Sequence, residues 1–179
     1  MCIDARELRR ALISELRGAD TDRTSADAAL NQIVMHIANG LETDVCSVYL
    51  LQDDGEHLLL VATVGLLQSC VGQLRMRTRE GLVGLVAQQR APVMLAEAPG
   101  HPRFKYFPEA DEDQYHSFLG VPVSQGDRLS GVLVVQTIEP RTFTDEETAQ
   151  LARVARLLGL RLHALARPRT PGTNSPRVP

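Results

Sequence analysis

Hydrophobic positions along the chain switch between a helical and a strand period, and the switches divide it into elements. Leu8, Leu12, Ile13 and Leu16 recur at helical spacing among Arg and Glu residues, predicting a helix over 4–17 with Asp4 as N-cap and Gly18 as its stop. The polar stretch 19–24 reads as a linker. Leu30, Ile33, Val34, Ile37, Ala38 and Leu41 then form one continuous apolar stripe, so a second helix is expected, capped at Ser25 and ending near Gly40. After Asp44 the period becomes that of strands. Residues 45–52 and 57–64 are β-rich runs on either side of Asp53-Asp54-Gly55-Glu56, whose central Asp-Gly predicts an antiparallel hairpin. Leu74 and Met76 alternate with Arg75 and Arg77, as in a half-buried strand over 73–78 with its arginines on a solvated face. A short helix over 81–90, closed by Pro92, and a short strand at Val93–Leu95 follow.

The second half repeats the alternation. Residues 118–124 and 129–138 read as strands joined by a tight turn at Gln125-Gly126-Asp127-Arg128. The run Gly131-Val132-Leu133-Val134-Val135 is apolar on both faces, which suits a central strand covered from both sides. Thr144-Asp145-Glu146-Glu147 is a capping box, and Leu151, Val154, Ala155, Leu158, Leu162 and Leu165 continue as the apolar stripe of a last helix. Residues 167–179 are rich in Pro, Thr, Ser and Gly without periodicity and read as a disordered tail or linker. The expected organisation is an N-terminal helix and linker over 1–24, one domain over 25–166, and the tail.

One segment fits neither period. Residues 96–114 hold Pro99, Pro102, Pro108, the aromatics of Phe104-Lys105-Tyr106-Phe107 and an acidic run from Glu109 to Asp113. A loop this long inside a compact domain is usually functional. Aromatics are only 4% of the chain, yet most of them fall between 104 and 118. Phe104, Tyr106, Phe107, Tyr115, His116 and Phe118 are therefore the candidate ligand-binding residues, since small-molecule pockets are largely apolar with a few convergent polar groups. The competing expectation is that they pin the loop onto the sheet.

Composition narrows the functions. With 44% hydrophobic residues in 179, the chain can bury a sizeable core. A net charge of −3 without a basic cluster gives no footprint for nucleic acid. The charged start MCIDARELRR lacks a signal-peptide core, and no apolar run approaches the roughly 20 residues of a membrane span. A soluble, cytoplasmic protein is expected. Cys2, Cys46 and Cys70 are odd in number and have no CxxC spacing, so neither disulfides nor a zinc site follow, and Cys46 reads as a small core residue. His101 and His116 near the acidic run show no HxH or HxxxH spacing. The acidic residues read as a solvated lid, and no metal is expected. Gly81 and Gly84 lack the rest of a phosphate-binding P-loop and read as room for the short helix to approach the sheet.

The order helix, helix, hairpin, strand, short helix, strand, long loop, hairpin, helix resembles that of the GAF family of sensor domains, within the PAS-related α+β folds. The segments TDVCSVYL (43–50), EGLVGLV (80–86), HPRFKY (101–106), FLGVPV (118–123) and GVLVVQ (131–136) resemble in particular the N-terminal GAF domain of nitrogen-related phosphotransferase enzyme I, a phosphoenolpyruvate-protein phosphotransferase. The resemblance implies a central antiparallel β-sheet with the terminal helices on one face, and a short helix plus the long loop covering a pocket on the other. It implies a non-catalytic regulatory domain that binds a small metabolite, without a cofactor, and signals through its terminal helices. A homodimer through those helices and a phosphotransferase partner are expected with it. No phosphotransfer is assigned to these residues.

Two alternatives accompany that reading. One is a dimerisation or docking module with a vestigial pocket. The other is a free methionine sulfoxide reductase, whose chemistry needs an attacking and a resolving cysteine within reach. The stretches 80–90 and 117–123, where such cysteines would be sought, contain none.

Overall fold

The computed structural model describes residues 23–110 and 114–166. The expected helix over 4–17, most of the linker and the tail over 167–179 lie outside the described residues, as does part of the acidic run. Helix α1 (Arg23–Leu41) is followed by strands β1 (Val45–Leu51), β2 (His57–Val64) and β3 (Arg75–Arg77). Helix α2 (Gly81–Gln89), strands β4 (Val93–Leu95), β5 (Ser117–Gln125) and β6 (Arg128–Thr137), and helix α3 (Asp145–Ala166) complete the chain. The six strands form one antiparallel sheet in the order β3-β2-β1-β6-β5-β4. The fold is α+β, as the periodicities predict.

β1 and β6 lie at the centre of the sheet and are buried on both faces. One face carries Cys46, Val48, Leu133 and Val135 and packs under Ile33, Val34 and Ile37 of α1 and Leu151, Ala155 and Leu158 of α3. The other carries Tyr49, Val132 and Val134 and packs under Leu82, Val83 and Val86 of α2, with Leu58, Leu60 and Met76 beside them. Full burial of one such side chain contributes about 1.5–3 kcal/mol, so each layer is a core in its own right. The side chain of Leu165 lies outside the described set.

One local expectation changes. Ser25 lies inside α1, which is helical from Arg23, the first described residue, and so is not its cap. The helix ends at Leu41, near Gly40 as expected, and the left-handed residue after it is Glu42, at φ 50. The Thr43 amide then donates to the Ala38 carbonyl at 2.9 Å, the closing bond of a Schellman motif. In β2 the strict alternation breaks. Val48 pairs with Ala62 and Tyr49 with Leu60, leaving Val61 as a bulge. Leu58 and Leu60 thus face the α2 layer, while Ala62 joins the layer under α1 and α3.

α3 is capped as its sequence predicts. The Glu147 amide donates to Thr144 Oγ1 at 3.2 Å, and the Thr144 amide donates to Glu147 Oε2 at 2.7 Å. Arg141 joins this cap to the rest of the fold. Its Nη1 donates to Glu147 Oε1 and its Nη2 to the Leu41 carbonyl at the end of α1, each at 2.9 Å, while its guanidinium lies over the Phe143 ring.

Replacing Thr144 with Ala removes the cap and is expected to cost about 1 kcal/mol, read by thermal unfolding as a fall of roughly 2–4 °C. Partial burial alone would push the Glu147 carboxyl up. The bonds from the Thr144 amide and hydroxyl and from Arg141 outweigh it and hold the carboxyl below its ordinary range. A depressed native pKa means that the stabilisation is complete above the unfolded value of about 4.3 and is lost as pH falls through the native value. Acid unfolding of Glu147→Gln should therefore show a weaker dependence on pH below that point than the parent chain.

Candidate functional site

α2 enters its first turn through a conformation that only glycine adopts readily. Gly81 has φ +64. The expectation of close packing holds instead for Gly84, where a Cβ would meet the Thr78 carbonyl at 3.1 Å. The first intrahelical bond runs from the Gly84 amide to the Glu80 carbonyl at 3.0 Å, and no side chain caps the helix. The amides of Gly81, Leu82 and Val83 therefore have no partner within the helix. Glu80 turns its carboxylate outward, accepting from the Arg77 amide at 3.1 Å and from Lys105 Nζ at 3.2 Å. The Arg77 bond first, and then Lys105, hold the Glu80 carboxyl below its ordinary range.

The long loop lies across this helix start as a lid. At its root the Ala98 amide donates to the His116 carbonyl at 2.6 Å, and Tyr115 Oη donates to the Gly65 carbonyl at 2.9 Å. Further out, the Phe104 amide donates to the His101 carbonyl at 2.8 Å. Arg103 Nη2 reaches both the Arg79 carbonyl and Gln88 Oε1 at 2.8 Å. Lys105 Nζ sits 5.1 Å from the Phe107 ring centroid, on a ring face that attracts cations.

Between the sheet, the start of α2 and the lid is a cavity of about 30 Å³, the room of roughly one water. Tyr49, Met76, Phe118, Val134 and Gln136 form its floor, Gly81, Leu82 and Val83 one wall, and Phe104, Lys105 and Phe107 its roof. Gln136 is the polar exception. It lies on the cavity face of β6 in series with Val132 and Val134 and is 8% exposed. Among the described residues nothing hydrogen-bonds its carboxamide, whose polar atoms remain accessible to water. Outside the roof lies an open groove of about 690 Å³ lined by Cys70, Gln73, Arg75, Glu80, Lys105, Tyr106, Phe107 and Pro108. Lys105 and Phe107 line both spaces and so form the partition between them.

The six candidate residues separate accordingly. Phe104, Phe107 and Phe118 line the cavity, and Tyr106 lines the outer groove. Tyr115 is buried in the same core and spends its hydroxyl on Gly65, while His116 turns to the surface, with Nδ1 3.1 Å from Glu97 Oε2. Neither of the last two reaches the cavity wall. Tyr49, Met76, Leu82 and Gln136 were not among the candidates. A glutamine closing an otherwise apolar central strand is the signal that could have found the last of them.

Cys46 and Cys70 are both buried, but Cys46 belongs to the layer under α1 and α3 and Cys70 to the layer under α2. The sheet stands between them, and burial pushes the Cys46 thiol far up, away from its nucleophilic form. What the cavity offers is apolar contact and hydrogen bonding, with the Lys105 ammonium paired to Glu80 on the groove side.

Comparison with known proteins agrees with this geometry. Residues 25–162 match the GAF domain family. The chain is 42% identical over 127 residues to the phosphoenolpyruvate-dependent phosphotransferase system protein of Escherichia coli, a match covering 71% of this chain and 17% of that protein. It is 30% identical over 152 residues to the Nif-specific regulatory protein of Herbaspirillum seropedicae, covering 82% of this chain and 27% of that one. The match thus spans under a third of either relative. Among solved structures, the GAF domain of a phosphoenolpyruvate-protein phosphotransferase from Coxiella burnetii superposes with a TM-score of 0.78 at 34% identity, over 92% of this chain and 98% of that one. Free methionine-R-sulfoxide reductase from Neisseria meningitidis shares the fold at a TM-score of 0.71 and 21% identity, over 92% and 93% of the two chains. Family match, sheet order and the identity to phosphotransferase GAF domains lead to one conclusion: the chain belongs to the GAF domain family.

Proposed function

We propose that this GAF domain is a non-catalytic regulatory sensor that binds a small metabolite beneath its lid and signals through α1 and α3. The observation that carries the reading is a largely apolar cavity with the Gln136 side chain on its floor, roofed by a loop whose bonds near the cavity are mostly exposed. A ligand that satisfies Gln136 and contacts the roof binds the open-lid state better than the closed one, and so shifts the population between them.

The route to the helices is short. Ser117 Oγ, one residue from the cavity-lining Phe118, lies 3.1 Å from the Ala96 carbonyl at the lid root and accepts the Arg141 amide at 2.7 Å. Arg141 in turn holds the end of α1 and the cap of α3. Met35 on α1 and Leu160 on α3 are large apolar side chains left exposed, which supports pairing with a second copy through these helices. The relatives' names support a phosphotransferase component or a nitrogen-regulatory protein as the output partner.

The second reading, a docking or dimerisation module with a vestigial pocket, is favoured by the cavity's small volume. The reductase reading is disfavoured by the separation of Cys46 from Cys70.

A thermal-shift screen of amino acids, 2-oxo acids and nucleotides separates the first two. A true ligand at about 100 times its Kd stabilises by about 2.7 kcal/mol. It should also alter amide hydrogen exchange in α1 and α3, and silence across the screen would favour the docking module. Sedimentation at micromolar concentration is expected to give a dimer that Leu160→Glu dissociates. A monomeric parent chain would exclude signalling through paired helices.

A further inference from the structure

The basic side chains of the surface fall into two groups. Arg75, Lys105, Arg141 and Arg153 each meet a carboxylate. Arg90, Arg103 and Arg128 meet none among the described residues. Two of these three are nonetheless held in place. Arg90 Nη1 donates to the Asp127 carbonyl at 2.7 Å, and Arg103 Nη2 donates to the Arg79 carbonyl and to Gln88 Oε1, each at 2.8 Å. These acceptors are neutral, so they orient the guanidiniums without cancelling their charge. Each guanidinium keeps further N–H donors for a second, anionic partner.

All three border one space. Between the end of α2, the tip of the β1–β2 hairpin and the β5–β6 turn lies an open groove of about 520 Å³, lined by Gly55, Thr78, Gln88, Arg90, Asp127 and Arg128 with apolar neighbours. Gln88 carries Arg103 on its flank, with the exposed Arg79 beside it. Asp127 is the acidic residue of the lining, and its carboxylate pairs with none of these arginines. Among the described residues no aromatic ring lines the groove, so it lacks a platform for stacked bases. The chain's net charge of −3 also works against a long polyanion. A single small anion in so open a groove is screened by solvent and salt. Several carboxylates spaced along one chain add their weak pairs together.

We propose that this groove docks an extended acidic segment of a partner protein, whose carboxylates pair with Arg90, Arg103 and Arg128. The inference goes beyond the sensor reading and does not depend on what the cavity binds. Arg103 belongs to the lid, so the lid in its closed position completes the docking surface.

The probe is a dye-labelled peptide of alternating glutamate and glycine, titrated with the full chain and followed by fluorescence anisotropy. Its counterpart with glutamine in place of glutamate is the control. The glutamate peptide is expected to bind in low salt and to weaken as salt rises, while the glutamine peptide does not bind. Arg90→Gln, Arg103→Gln and Arg128→Gln should each weaken it roughly twofold to fivefold, the range of an exposed ion pair. Arg156→Gln removes the same charge from an exposed position on α3 and should leave the affinity unchanged. Asp127→Asn suits the same turn and should tighten the peptide, a gain that loss of structure would not produce. Failure of the glutamate peptide to bind at millimolar concentration, or equal binding of the glutamine peptide, would overturn the inference. So would an equal loss on Arg156→Gln, which would reduce the effect to net charge. Tighter binding of a thymidine oligonucleotide, or displacement of the peptide by an equal concentration of inorganic phosphate, would assign the groove to another anion. Self-association of the chain that the three arginine substitutions abolish would make a second copy the occupant and remove the partner.

Discussion

The fold depends on two strands, β1 and β6, being buried on both faces. Val48 and Leu133 require a cover on one side, and Tyr49 and Val134 on the other. A sheet with one apolar face can leave the other to water, but this one cannot. α1 and α3 cover the first face with two long helices. The second has only the nine residues of α2, so the remainder must be closed by irregular chain. The lid is therefore a structural necessity before it is anything else, and the cavity lies where helix and lid meet over the sheet.

The placement of polar groups follows from the same constraint. Along β6 the α2-facing positions Val132 and Val134 are apolar, and Gln136 comes next, at the margin between helix and lid. Beyond it, Thr137 accepts the His116 amide and uses its own hydroxyl on the Glu139 carbonyl. Ser117, opposite Thr137, ties the lid root to Arg141. One end of the central pair thus carries the Gln136 carboxamide, the lid root and the guanidinium that holds both long helices. Contiguity alone does not establish coupling. It does mean that Ser117 and Arg141 join the lid root to the ends of α1 and α3, beside the bond from the His116 amide to the Thr137 carbonyl.

What the sequence makes legible is whatever short-range chemistry decides. The α3 cap was readable because Thr144 and Glu147 satisfy one another within a single turn. The hairpins were readable from Asp54-Gly55 and Gly126-Asp127. The bulge at Val61 was not, because tertiary packing sets it: Val61 yields so that Leu60 and Ala62 can serve opposite cores. The site divides in the same way. A concentration of aromatics marked the loop, and Phe104 and Phe107 do roof the cavity. That Tyr115 would instead anchor to the Gly65 carbonyl depends on a residue 50 positions away. Nothing local distinguishes it from Phe104.

The graded burial of the lid's bonds bears on how a cavity of about 30 Å³ could belong to a sensor. Its inner anchors are Tyr115 on Gly65 and Ser117 beside Ala96, both with buried side chains. Its outer ones, Arg103 on Arg79 and Gln88 and Lys105 on Glu80, are exposed. Exposed pairs of this kind contribute about 0–1 kcal/mol each, whereas a buried hydrogen bond that is broken leaves a desolvated group behind. Releasing residues 103–107 therefore costs little beyond exposing Phe104 and Phe107, which are only half buried in the closed state, while the root stays in place. A ligand that re-buries those two rings regains most of that cost. Closed volume is thus a poor measure of capacity here, because the roof is the least firmly held part of the wall.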